Sequence, residues 1–178
     1  MKAILQKNAF LKFLIYSGIT YVILYLVHQF IIKRYTYYDQ QFIGQIIKAA
    51  NGVLHFVGYS TFLILQDRDF QVIGIDGSNG VWVGSNCNAI SLFMLFIVFI
   101  IWYPGHQRSK LWFIPFGIVS IHLLNILRVV ALALISKYAP GWLDFNHTYT
   151  FTFVVYAYIF FLWMWWVNKF AGRKTSKE

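Results

Sequence analysis

The chain has 178 residues, of which 59% are hydrophobic, 21% aromatic and only 12% charged, with a mean hydropathy of +0.59. A soluble domain carries about 25% charged residues, and at this size it buries only about two thirds of the surface it exposes when unfolded, so a soluble fold is excluded. The formal charge is +9, from 15 Lys and Arg against 6 Asp and Glu. Basic residues flank apolar runs instead of gathering on a soluble face, which points to a lipid bilayer as partner and not to nucleic acid.

The length suits four or five spanning helices with short loops. The expected fold is therefore all-α: a polytopic helical membrane bundle, one integral membrane domain over residues 1–178, with a small extracytoplasmic hairpin. The single cysteine, Cys87, excludes intrachain disulfides and any multi-cysteine metal site.

Lys2, Lys7 and Lys12 precede a first apolar run, Phe13 to Ile32, which has the roughly 20 residues a span needs. It is too long for a signal-peptide core and no small-residue cleavage site comes after it, so it reads as a retained helix. Lys33-Arg34 and the polar cluster Tyr35 to Gln41 end it. The second run, Phe42 to Leu65, is interrupted by Gln45, Lys48, Asn51 and His55. Two readings stay open: a span with a polar face toward a bundle interior, or an amphipathic helix in the interface.

Gln66 to Asn86 is polar and holds Asp67, Arg68, Asp69 and Asp76. The turn formers Asp76-Gly77-Ser78-Asn79-Gly80 lie between the β-prone pieces Gln71 to Ile75 and Val81 to Val83, which predicts a hairpin. The hairpin aims the segment Ser85-Asn86-Cys87-Asn88. A third run, Ala89 to Tyr103, stops at Pro104-Gly105 and gives way to the basic turn His106 to Lys110. The fourth, Leu111 to Ile135, contains His122, Asn125 and Arg128. After a loop from Lys137 to Asn146, the fifth run, Thr148 to Val167, ends in Trp163, Trp165 and Trp166, an expected interfacial belt. The tail carries Lys169, Arg173, Lys174 and Lys177.

With the basic turn and the basic tail cytoplasmic, the third helix runs inward, the fourth outward and the fifth inward. Cys87 then stands at the outer start of the third helix and His147 at the outer start of the fifth. Arg128 stands about 26 Å up the fourth from Leu111 at 1.5 Å per residue, near the outer boundary of a core about 30 Å thick. Asn125 neighbours Arg128 on one face, and His122 extends that strip diagonally. A charge inside a span costs about 2.5–3.5 kcal/mol on insertion scales, so this strip must face protein or water.

A thiol, once deprotonated, is a good nucleophile. An imidazole can take its proton and return one to a leaving amine, and a guanidinium can face the oxyanion formed when a carbonyl is attacked. Together they form a site for acyl transfer that calls for no cofactor and no metal. The alternatives are a metal site, a non-catalytic membrane subunit or small transporter whose polar strip joins helices or lines a path, and an enzyme moving acyl groups to or from a lipid or glycan.

Cys87 ahead of an apolar helix, Asn125-Ile126-Leu127-Arg128 in the next, and His147 at the head of the last resemble, in order and spacing, the exosortase/archaeosortase family of membrane transpeptidases. The resemblance covers residues 50–167 and is to a short bacterial form. It implies cysteine-dependent transpeptidase or protease action in the bacterial cytoplasmic (inner) membrane, with the active site on the outer face. The implied partners are secreted proteins that carry a carboxy-terminal sorting signal made of a short motif, a transmembrane helix and a basic tail. It also implies Cys87 as nucleophile, His147 as general acid/base and Arg128 as transition-state stabiliser, with Asn125 and His122 in support. Many members carry Cys-Ser-Gly where this chain has Cys87-Asn88-Ala89, and many are longer at the amino terminus.

The charge distribution makes one direct prediction. Reporter fusions at Gly77 and Gly105 are expected to report opposite faces, Gly77 outside and Gly105 cytoplasmic. Both on the same face would remove the argument that the thiol, guanidinium and imidazole share a leaflet.

Overall fold

The computed structural model of the chain describes residues 2–32, 37–66, 69–84 and 87–171. Lys33, Arg34, Asp67, Arg68, Ser85, Asn86 and the tail residues Arg173, Lys174 and Lys177 lie outside the described residues. The protein is largely helical and polytopic. Among the described residues, three helical stretches are long and apolar enough to cross a membrane, Phe10–Ile32, Gln107–Tyr138 and Pro140–Phe170, and a shorter apolar helix covers Ile90–Trp102. The chain forms two compact units. Each is assembled from separated stretches of sequence.

The first unit takes in Met1–Arg34, Ile90–Val119 and Ile159–Glu178. Helix α1 (Lys2–Val27) continues through a π-helical turn, His28–Ile32. Against it lies α3 (Ile90–Trp102), a run of apolar residues that Pro104-Gly105 ends close to where the sequence places its stop. Trp102 Nε1 donates to Thr20 Oγ1 at 3.0 Å, and Tyr16 stacks on Trp102 at 5.2 Å. The unit's interior is aromatic: Phe113 meets Phe96 at 6.0 Å and Trp166 at 5.1 Å, and Phe99 stacks on Trp163 at 4.3 Å. The expected tryptophan belt is thus partly core, because Trp166 is fully buried. Lys110, in the basic turn, is also buried. Its Nζ donates to the Ile101 carbonyl at 2.7 Å, satisfying one of the orphan acceptors at the end of α3.

The second unit, Tyr35–Ala89 and Ser120–Tyr158, carries the hairpin region and the polar residues. Helix α2 (Tyr38–Phe56) buries Ile43, Ile46, Ile47, Ala50 and Leu54, the one-face spacing of an amphipathic helix. Gln45, Lys48 and His55 are exposed, and α2 is not among the helices apolar enough to cross a membrane. The helical part of the run Phe42 to Leu65 is therefore amphipathic, with its apolar face packed into the core of this unit. The helix ends where Gly58 turns left-handed (φ +92), with Gly58 N–H donating to His55 and Tyr59 N–H to Leu54, the bond pair of a Schellman motif.

The chain then turns extended. The expected hairpin is present as β2 (Asp69–Ile75) and β3 (Val81–Trp82), and β1 (Thr61–Gln66) extends it to a three-stranded antiparallel sheet in the order β1-β2-β3. Register pairs Leu63 with Ile73 and Ile73 with Val81. Gly77 and Gly80, at φ +79 and +73, make the β2–β3 turn. Helix α4 (Gln107–Tyr138) is common to both units. Near its end Lys137 Nζ donates to the Asp76 carbonyl and Ser136 Oγ to the Gly80 carbonyl at 3.1 Å. The sheet's turn is thereby tied to the carboxy-terminal end of α4.

Candidate functional site

The site lies wholly in the second unit. Its core gathers Ile43, Ile47 and Leu54 of α2, Ile73 and Ile75 of β2, Ile126, Val129 and Ala133 of α4, and Cys87. Cys87 is 5% exposed and its backbone is held at both ends. Its N–H donates to the Gly84 carbonyl at 2.8 Å, and its carbonyl accepts from Asn125 Nδ2 at 2.8 Å. The thiol is thus presented from a short turn between the sheet and α3.

Beyond α4, a 3-10 turn (Pro140–Trp142), a single α turn (Leu143–Phe145) and a π turn (Asn146–Thr150) lead into α5 (Phe151–Trp166). His147 is in the π turn, a widened helical turn of the kind that recurs at functional sites. The sequence starts the fifth helix at Thr148, whereas helical structure here begins at Pro140. Cys87 Sγ lies 3.1 Å from His147 Nε2, a separation at which a proton can pass between them.

Arg128, 9% exposed, donates from Nη2 to the His147 carbonyl at 3.3 Å. Asn125 and Arg128 are one helical turn apart on α4. One turn of one helix therefore holds the backbone of Cys87 with one side chain and the backbone of His147 with the next. Asn125 is completely buried; its Oδ1 and Arg128 Nε have no hydrogen-bond partner among the described residues. An arginine has five N–H donors, so the contact to His147 leaves it capacity for a developing negative charge.

Of the residues singled out from sequence, Cys87, Asn125, Arg128 and His147 come together. His122 takes another position, with its ring against Phe42 of α2 at 5.3 Å. Sequence reasoning passed over Asn88 and Asp39: Asn88 Nδ2 donates to Asp39 Oδ1 at 2.8 Å. The available signal was weak, an acidic residue in the first turn of a helix beginning at Tyr38. Among the described residues, no three His, Cys, Asp or Glu side chains gather as a metal site requires. In comparisons with known proteins, no family model, no curated protein and no solved structure matches the chain.

Ala89, two residues after the thiol, has φ +61. A left-handed backbone costs a non-glycine residue about 1–2 kcal/mol. Part of that is offset on replacing Ala with Gly by the greater freedom of the unfolded chain, so Ala89→Gly is expected to stabilise by about 0.5–1 kcal/mol. Ala89→Val is expected to destabilise, since a β-branched residue fits this region worst. Thermal midpoints of the detergent-solubilised protein measure both.

Proposed function

We propose that the protein is a cysteine-dependent membrane transpeptidase or peptidase of the exosortase/archaeosortase kind, acting on carboxy-terminal sorting signals of secreted proteins at the outer face of the bacterial cytoplasmic membrane. The observation that carries this reading is the 3.1 Å approach of Cys87 Sγ to His147 Nε2. Arg128 on the carbonyl of the same histidine supports it. So does the left-handed backbone at Ala89, where the family pattern has the glycine that such a backbone favours.

In the first step the Cys87 proton passes to His147 Nε2 as Sγ bonds to the substrate carbonyl carbon, and the carbonyl electron pair moves onto oxygen. Arg128 offsets the charge of that oxyanion. The intermediate collapses, the C–N bond breaks, and His147 gives its proton to the departing amine, leaving a thioester on Cys87. An amine or water then attacks the thioester, His147 takes its proton, and the thiol is restored with that proton. A substrate anchored by its own transmembrane helix arrives already placed, so little recognition surface is needed.

Cys87→Ala and Cys87→Ser are expected to abolish trimming of a secreted protein carrying the motif, helix and basic tail, while insertion and abundance stay normal. Serine is nearly isosteric with cysteine and alanine removes a single heavy atom, so a packing role would survive both changes, but a hydroxyl ionises far less readily than a thiol. The measurement is the mass of the substrate's carboxy terminus in cells with either variant. Normal trimming in the alanine strain would overturn the reading and leave a non-catalytic membrane subunit. Arg128→Lys is expected to lower turnover at least about tenfold in normally inserted protein, because lysine keeps the charge but loses the planar fork of donors. Unchanged turnover would reduce Arg128 to a generic charge.

A further inference from the structure

We propose that Asp39 is a positioning residue for Cys87, acting through the side chain of Asn88; this rests on the proposed nucleophilic role of Cys87. Asp39 is 6% exposed and Asn88 1%, and they meet at 2.8 Å although 49 residues separate them in sequence. Burying a carboxylate is costly unless it is bonded. Its place in the first turn of α2 relieves part of that cost through the helix dipole. An exposed position in the same turn would gain the dipole without the burial, so the inward position is explained by what the carboxylate holds.

Asn88 directly follows the thiol-bearing residue and precedes Ala89, whose backbone is left-handed. Gly84 and Asn125 fix the peptide groups of Cys87 itself. The next side chain along, Asn88, is held by Asp39 just before the reversal at Ala89. These bonds act together on the orientation of the turn, and so on the direction of the Cys87 side chain toward His147. In this proposal Asp39 acts on the thiol through Asn88, and its effect is on alignment.

The test uses full-length protein in detergent, with rates expressed per folded, monodisperse protein. Because Cys87 is the only thiol in the chain, its alkylation by iodoacetamide reads the pair directly and needs no substrate. In wild type, His147→Ala is expected to slow alkylation at least about tenfold, the lower end of what a positioned base supplies. In an Asp39→Ala background the same change is expected to slow it less than about twofold, because the base is no longer aligned. Asn88→Asp alone sets two carboxylates against each other and is expected to behave like Asp39→Ala. Adding Asp39→Asn to it restores a bond of reversed polarity and is expected to recover the His147 dependence. A full His147 effect in the Asp39→Ala background, or no recovery in the exchanged pair, would overturn the proposal. A wild type with no His147 effect would instead overturn the Cys87–His147 pairing, so the two failures are distinguishable.

Discussion

One turn of helix α4 sets the geometry on which the rest of the site depends. Asn125 and Arg128 project from neighbouring positions, and each donates to a backbone carbonyl on a different, distant segment, Cys87 in one case and His147 in the other. Both side chains are buried, where an unpaired polar group costs about 1–3 kcal/mol. The two segments are therefore drawn to the helix by groups that have few other ways to be satisfied. The 3.1 Å separation of thiol and imidazole is a consequence of that shared anchor more than of any direct attraction between them.

The surrounding unit explains why the anchor can be rigid. Amphipathic α2 covers one side of the core, β2 supplies Ile73 and Ile75, and the apolar positions of α4 interleave with them. The sheet is held to α4 through its turn, by Lys137 and Ser136 on the carbonyls of Asp76 and Gly80. Tyr138 adds a hydroxyl contact to Tyr59 at 3.3 Å. These bonds satisfy turn carbonyls with side chains from the end of a helix, so the strand that precedes Cys87 has a fixed point of departure.

The arrangement separates positioning from chemistry. The groups suited to bond-making, Cys87 and His147, are on short irregular turns, and the groups that hold them are on regular helices. A π turn at His147 and a left-handed residue after Asn88 are local departures from preferred backbone. Departures of that kind persist when surrounding contacts over-determine them. In the proposed enzyme, a substrate tethered in the same bilayer would meet an aligned pair.

By itself the sequence determined the apolar helices, the stops at Pro104-Gly105 and Asp76-Gly77, and the polar strip on α4. These come from local rules: length against bilayer thickness, turn chemistry, and the cost of a charge among apolar residues. It also pointed to Cys87, Arg128 and His147 together, because helix parity and rise per residue predict a similar depth for them, and to Asn125 as the helical neighbour of Arg128. Tertiary structure decided the rest. Phe62 to Leu65 is a short apolar run, which does not distinguish strand from helix; pairing with β2 after the stop at Gly58 makes it β1. Trp166 became core instead of belt because Phe113 lies against it. His122 left the strip for Phe42, since three residues along a helix also rotate the face by a sixth of a turn. The Asp39–Asn88 bond joins residues with no periodic relation. Only the packing of α2 brings them within reach of each other.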